Sequence, residues 1–227
     1  MEITANTKAI IWDLDGTLLD SFEIYANVLA EALVLHQLPL PERSVLLTNF
    51  HGTLEDSIAT ALSLTDDKRL AAILSDFLVA QKQYYQVPDK HLFTDAVKLA
   101  TRAAAAGLQQ FVITNRTHTN RGSASPRHII EHSRLAGAIN DFVCSDENAF
   151  HKPDSRVALP LLARYGLQPS QVVVIGDQHV DAELAQNLGT RAIIVVRGEQ
   201  SPHLDNINNW RHFTTVVTSL NKIKLVV

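Results

Sequence analysis

Asp13 and Asp15 flank a leucine directly after the apolar run Ala9, Ile10, Ile11, Trp12, and far along the chain Asp177 and Asp181 follow a second run, Val172 to Gly176. Carboxylates at the tips of buried strands repel one another: two charges about 4 Å apart cost about 4 kcal/mol at an effective dielectric near 20. If the two tips meet, a cation must sit between them. Carboxylate oxygens without His or Cys companions favour a hard divalent ion, and Mg²⁺ is characteristically held by one or two carboxylates together with substrate phosphates.

The elements that would bring these residues together are legible in the pattern. Short β-branched runs at 9–12, 110–114, 142–144, 172–175 and 192–196 alternate with helical spacing at 94–106, 126–135, 155–165 and 180–188. Several of those helices are followed closely by glycine. Alternation of this kind predicts an α/β fold, a doubly wound, mostly parallel, Rossmann-like sheet. From Asp20 to about Lys90 the alternation stops, and residues 21–35, 54–62 and 67–85 carry aliphatic side chains at three- and four-residue steps. This stretch reads as a helical cap of residues 19–90 inserted into a catalytic core of residues 1–18 and 91–227. Entering just after the first acidic loop, it can hang over the carboxyl ends of the strands, where open sheets bind ligands. The tail from Ser201 is ambiguous, and a last helix is expected around 216–222.

Composition removes other classes. A chain of 227 residues with 46% hydrophobic content can bury on the order of 70% of its unfolded surface, enough for one core and a smaller appended unit. The single cysteine, Cys144, permits no internal disulfide, and the first residues lack the basic-then-apolar pattern of a secretion signal. A cytoplasmic setting is expected. No apolar run approaches the ~20 residues of a membrane helix. The net charge of -4 offers no basic surface for nucleic acid. The oligomeric state leaves no mark in the sequence.

The run from Asp13 to Ser21, Asp-Leu-Asp-Gly-Thr-Leu-Leu-Asp-Ser, resembles the first signature of the haloacid dehalogenase-like hydrolases. The family's remaining pattern follows in order: Val112-Ile113-Thr114-Asn115, His151-Lys152-Pro153, and Gly176-Asp177 with Asp181. Phosphate ester hydrolysis needs an in-line nucleophile, neutralised equatorial oxygens and a proton for the leaving group. Asp13 suits the nucleophile, forming an aspartyl-phosphate that splits one hard displacement into two easier ones. Asp15 would serve as general acid and then as general base on water. Lys152 would clamp the phosphoryl oxygens, and Mg²⁺ would lie across Asp13, Asp177 and the backbone carbonyl of Asp15. Thr114 offers a hydroxyl and Asn115 a backbone N–H to the transferring group. By resemblance, Asp181 would orient the metal shell or Lys152.

Other constellations fit less well. Aligned on Gly16, a calcium loop would place Ile11 and Phe22 where carboxylates should chelate. His128 to His132 matches a zinc peptidase pattern, but no third ligand is identifiable, so a solvent-facing helix is expected. Within the resembled family, an acid at the place of Asp15 disfavours halide displacement. A sugar phosphomutase of the β-phosphoglucomutase type commonly has a cap arginine in a segment like 50–57, and this chain has none there. The expected function is a Mg²⁺-dependent phosphatase of a small phosphorylated metabolite, similar to phosphoglycolate phosphatases, with the mutase as alternative. Two histidines, His51 and His179, are placed to approach the substrate. Arg116 or Arg121 could still replace the charge of the missing cap arginine from the core side. The polar segment 116–125 is longer than the family's usual turn and reads either as a substrate or partner contact or as a flexible surface loop.

Overall fold

The computed structural model describes residues 2–50, 53–119, 121–197 and 213–226. A short β1 (Glu2–Ile3) is followed by β2 (Ala9–Trp12), β3 (Gln109–Ile113), β4 (Asp141–Val143), β5 (Val172–Gly176), β6 (Arg191–Val195), β7 (Thr214–Val217) and β8 (Lys224–Leu225). Strands β2 to β7 form a six-stranded sheet in the order β4-β3-β2-β5-β6-β7, with every neighbouring pair parallel. The remaining two strands, β1 and β8, pair with each other.

Strand burial explains the near-continuous apolar runs. Every residue of β2 and β5 is buried, and alternate side chains feed two separate cores. Ile10, Trp12, Val173 and Ile175 pack on one face, and Ala9, Ile11, Val172 and Val174 on the other. A sheet covered on both sides gains from β-branched residues at every position, so no polar alternation is seen. The one large polar insertion is satisfied: Gln110 accepts from Trp12 Nε1 at 2.9 Å and donates to the carbonyls of Ala100 and Ala138 at 2.8 and 3.1 Å.

Helices α1 (Phe22–Leu35), α2 (Arg43–Asn49), α3 (Leu54–Leu62) and α4 (Asp67–Tyr84) all lie between β2 and α5 (Thr94–Ala105), and α6 (Pro126–Glu131), α7 (Leu159–Arg164) and α8 (His179–Leu188) flank the sheet. The inserted helices have an aromatic centre, in which the Phe50 ring lies 5.4 Å from Phe22 and 4.9 Å from Tyr25, and Tyr25 lies 5.9 Å from Phe77. Where the chain enters and leaves this layer it is bonded to itself. Asp20 N donates to His91 O at 2.7 Å, and Phe93 N to Leu18 O at 3.0 Å.

Several expectations need correction. No helix spans 216–222: β7 takes Thr214–Val217 and only a single 3₁₀ turn follows at Leu220–Lys222. The β-branched run Thr-Thr-Val-Val pairs with β6 instead of coiling. The helix expected over 126–135 stops at Glu131, and that over 155–165 is a 3₁₀ turn followed by α7, with Pro160 in its first turn. The pairing of β1 with β8, and helix α2, have no counterpart in the sequence pattern. His51 lies outside the described residues. No described helix is long and apolar enough to cross a membrane.

Candidate active site

Strands β2 and β5 are neighbours, with Trp12 opposite Ile175, so the loops that follow them leave the sheet side by side. The chain turns outward in both directions from β2, which makes these carboxyl ends the crevice where the strand order reverses. Asp13 N donates to Ile175 O at 2.8 Å. Carboxylate oxygens of Asp13, Asp177 and Asp181 lie within 4.8 Å of one another, and all three residues are at most 7% exposed.

Each carboxylate is aimed by its local structure. Asp181 sits in the first turn of α8, where one oxygen caps the helix by accepting from Gln178 N at 3.1 Å and the other accepts from Lys152 Nζ at 2.7 Å. Asp177 accepts from Thr17 Oγ1 at 3.1 Å. Two glycines allow the close approach. Gly16 has φ of 84°, and a Cβ there would lie 2.2 Å from Asp177 Oδ2; at Gly176 it would lie 2.2 Å from Asp181 Cγ. Arg197, just past β6, ties the turn down by donating to the carbonyls of Gly16 and Thr17, each at 3.1 Å, while pairing with Asp95 at 3.0 Å.

Lys152 is buried between the acids, donating to Asp13 Oδ1 at 2.5 Å as well as to Asp181. Burial works against its charge, but Asp13 and Asp181 outweigh it and hold the ammonium above its ordinary value. Its backbone is fixed by Asn115, whose side chain accepts from Lys152 N at 3.1 Å and donates to Lys152 O at 3.3 Å. Asn115 therefore offers more than the backbone N–H expected of it. Thr114 Oγ1 accepts from Arg116 N at 3.1 Å, which leaves its hydroxyl proton to donate.

One ammonium among three buried carboxylates leaves negative charge unmatched. Burial lifts Asp13 to about 7; Lys152 opposes this, and Asp181 and Asp15 push further. Asp177 is driven well above the usual carboxylate range by burial, then by Asp13 and Asp181. The hard-oxygen donor set and its surplus charge fit a divalent cation. A carboxyl group that titrates higher in the fold than its ordinary value of 3.8 favours the folded state below that value and loses the benefit as pH rises. The metal-free protein should therefore lose stability between pH ~4 and pH ~7, by an amount on the order of 1–3 kcal/mol, seen as a fall of several degrees in Tm. Asp13→Asn should flatten this slope; an unchanged slope in that variant would refute the account.

Asp15 points elsewhere. Its carboxylate forms a bidentate pair with Arg116, through Nε at 2.9 Å and through Nη2. Arg116 also donates to Tyr85 Oη at 3.2 Å and Ala124 O at 3.1 Å. Burial would raise Asp15, yet the Arg116 charge and hydrogen bonds hold it below the usual carboxylate range. The sequence hid this partner, since nothing in its spacing ties Arg116 to Asp15. Asp13, Asp15, Thr114, Asn115 and Lys152 border one cavity of about 250 Å³, which Tyr25, Phe77, Gln81 and Tyr85 of the inserted layer also line. His179 reaches this cavity too. His128 and His132 do not: their rings stack 4.0 Å apart on α6 and just beyond it.

Comparison with known proteins places the chain in a family. The family model described as haloacid dehalogenase-like hydrolase matches residues 10–195. The chain is 30% identical over 203 residues to a phosphoglycolate phosphatase of Rhodospirillum rubrum, covering 84% of this chain and 80% of the relative. It is 27% identical over 204 residues to an N-acetylmuramic acid 6-phosphate phosphatase of Pseudomonas aeruginosa, covering 89% and 87%. In fold it is similar to the crystal structure of a predicted phosphoglycolate phosphatase from Haemophilus somnus, with a TM-score of 0.79, 17% identity, and 95% and 96% of the two chains covered. Matched across most of its length, the chain belongs to the haloacid dehalogenase-like hydrolases, and its curated relatives named here are phosphatases.

Proposed function

We propose that this protein is a Mg²⁺-dependent phosphatase of small phosphorylated metabolites, acting through an aspartyl-phosphate on Asp13. The observation that carries the reading is the Lys152 ammonium held between Asp13 and Asp181 beside Asp177, at the tips of two adjacent parallel strands. A catalytic core of residues 1–18 and 91–227 and a helical cap of residues 19–90 belong to the same proposal. So does cytoplasmic residence, which rests on Cys144 being the sole cysteine.

In this reading Asp13 attacks phosphorus, the P–O bond to the alcohol breaks, and Asp15 delivers the proton to the departing oxygen. Water then attacks the aspartyl-phosphate with Asp15 taking its proton, releasing inorganic phosphate. Lys152 and the Thr114 hydroxyl hold the phosphoryl oxygens in a site that excludes water. Asp13 and Asp177 would hold the metal with the Asp15 carbonyl, and the metal would supply charge neutralisation where the anion meets the acidic cluster. Asp181 would keep Lys152 in place. Because Arg116 keeps Asp15 ionised, the acid role in the first step needs that pair loosened as substrate enters. Asp15 in its ion pair is already in the form that serves as base in the second step.

The relatives' names give phosphoglycolate and N-acetylmuramic acid 6-phosphate, and both belong at the head of a test panel. Phosphate release from such a panel is expected with Mg²⁺, with a fall of at least ~100-fold on chelation and recovery on adding the metal back. Equal turnover with and without a divalent ion would overturn the metal assignment, and no release from any ester would overturn the phosphatase reading.

A further inference from the structure

Three strong cations border the cavity: Lys152, Arg116 and Arg121. Lys152 is matched by Asp13 and Asp181, and Arg116 by Asp15. Arg121 makes no ion pair among the described residues. Its bonds go to two neutral acceptors, Thr117 Oγ1 at 3.0 Å and Gln81 Oε1 at 3.2 Å. Three further polar groups belong to residues that line the same cavity: Ser21 Oγ, which lies on the Asp15 side and helps hold that carboxylate ionised, and two on the side of the inserted layer. Gln81 Nε2 and Tyr25 Oη are buried without a hydrogen-bond partner, in residues 2% and 3% exposed. Turning the Gln81 amide would not help, because its oxygen is the end that accepts from Arg121.

Buried polar groups are normally satisfied, and an exception asks for an explanation. An unmatched guanidinium together with an unused amide N–H and an unused phenol is a donor set lacking an acceptor. The guanidinium fork suits a planar two-oxygen anion. One unmatched positive charge balances a monoanion better than the dianion of a second phosphate. We infer that Arg121, assisted by Gln81 and Tyr25, recognises a carboxylate on the alcohol portion of the substrate, so that the preferred esters are phosphorylated hydroxy acids. The inference rests on the phosphatase reading above and adds a specificity-determining subsite to it.

The electrostatics support this assignment. Burial and then the neighbouring Arg116 pull Arg121 down to about 10, with Asp15, Tyr85 and Asp146 opposing them only through space. An anion against the guanidinium would reverse that trend. The loop carrying Arg121 is braced at both ends. Asp146 accepts from His118 N at 2.6 Å and from Thr119 N at 2.7 Å, and Ser123 Oγ donates to Lys82 O on α4 at 2.5 Å. Such bracing orients the guanidinium before substrate arrives and lowers the ordering cost of binding. The Gln81 contact also joins this loop to the helical layer, so the subsite spans the two.

The test compares the phosphate monoester of a 2-hydroxy acid with that of its carboxamide, the two differing only in the carboxylate. The wild-type protein with Mg²⁺ should favour the acid by at least ~100-fold in kcat/KM. Arg121→Gln should reduce that preference to below ~5-fold, chiefly through KM, and Arg121→Lys should restore part of it. Gln81→Glu, which sets a carboxylate beside Arg121, provides a second variant and should also erase the preference. Equal use of both esters by the wild type would overturn the subsite while leaving the phosphatase reading intact. The subsite is equally overturned if Arg121→Gln lowers both esters by one common factor. Hydrolysis of neither ester, nor of p-nitrophenyl phosphate, would sink both proposals.

Discussion

Asp13→Asn is expected to lower turnover of every phosphate ester by at least ~1000-fold, because the amide cannot form the covalent phosphoenzyme. The substitution is close to isosteric, and the residue is 7% exposed, so packing hardly changes. Its electrostatic effect on folding has the opposite sign to its effect on activity. Asp13 is lifted to about 7 by burial and by Asp181 and Asp15, against Lys152, so an uncharged amide relieves repulsion in the metal-free protein above that pH. The bond from Lys152 Nζ, which the amide oxygen can still accept but without charge assistance, weakens and offsets part of this gain. Steady-state kinetics measured beside a thermal melt at pH 8 would separate the two effects. An inactive variant with an undiminished Tm supports the nucleophile role, whereas more than about a tenth of wild-type turnover would contradict it.

Lys152→Met should be the other severe substitution. It keeps length and hydrophobic bulk but removes the sole ammonium among Asp13, Asp177 and Asp181. Turnover should fall by roughly 100- to 1000-fold, the range seen when one preorganised donor to a developing charge is lost. Breaking a buried pair so that charge is left uncompensated typically costs about 3–5 kcal/mol. For a chain of this size that corresponds to roughly 6–20 °C in Tm. The destabilisation should be largest for metal-free protein near pH 8 and shrink toward pH 5, where the raised Asp13 and Asp177 take up protons. Mg²⁺ should restore much of the loss at pH 8. A variant whose Tm is unaffected at pH 8 without metal would mean that Lys152 does not hold the acids together.

The backbone framework is more legible in the sequence than the side-chain partnerships. Runs such as Val172 to Ile175 are apolar at every position because both faces of the sheet are covered, and that signal survives without any structure. The convergence of the two acidic tips is expected from their residue types, and the structure brings it about by pairing β2 with β5. Short elements are harder. In Arg43–Asn49 the apolar residues Val45, Leu46 and Leu47 are adjacent rather than spaced, so the segment has no helical period to detect. Two-residue strands such as Glu2–Ile3 carry too little pattern to be read. The ambiguous tail resolves toward strand because Thr214 to Val217 finds an open edge at β6.

At the site, the residue types name the chemistry but not the wiring. Asp15 and Arg116 are distant in sequence, as are Asn115 and Lys152, and Arg197 and Gly16. Each pair exists only because strand order brings loops together. Arg116 is readable in the sequence as a source of positive charge, yet its engagement with Asp15 leaves Arg121 as the guanidinium free for another anion. Glycines are more informative. Gly16 and Gly176 stand where any side chain would collide with a buried carboxylate of the cluster, Asp177 and Asp181 respectively.

The hydrogen bonds from Asp20 to His91 and from Phe93 to Leu18 place the start and finish of a long excursion next to each other. An interruption closed in this way leaves the strand ladder itself unbroken, since β2 pairs with β3 and β5 and neither pairing uses a residue of the excursion. Lineages could exchange that filling for another and acquire a new appetite without rebuilding the apparatus underneath.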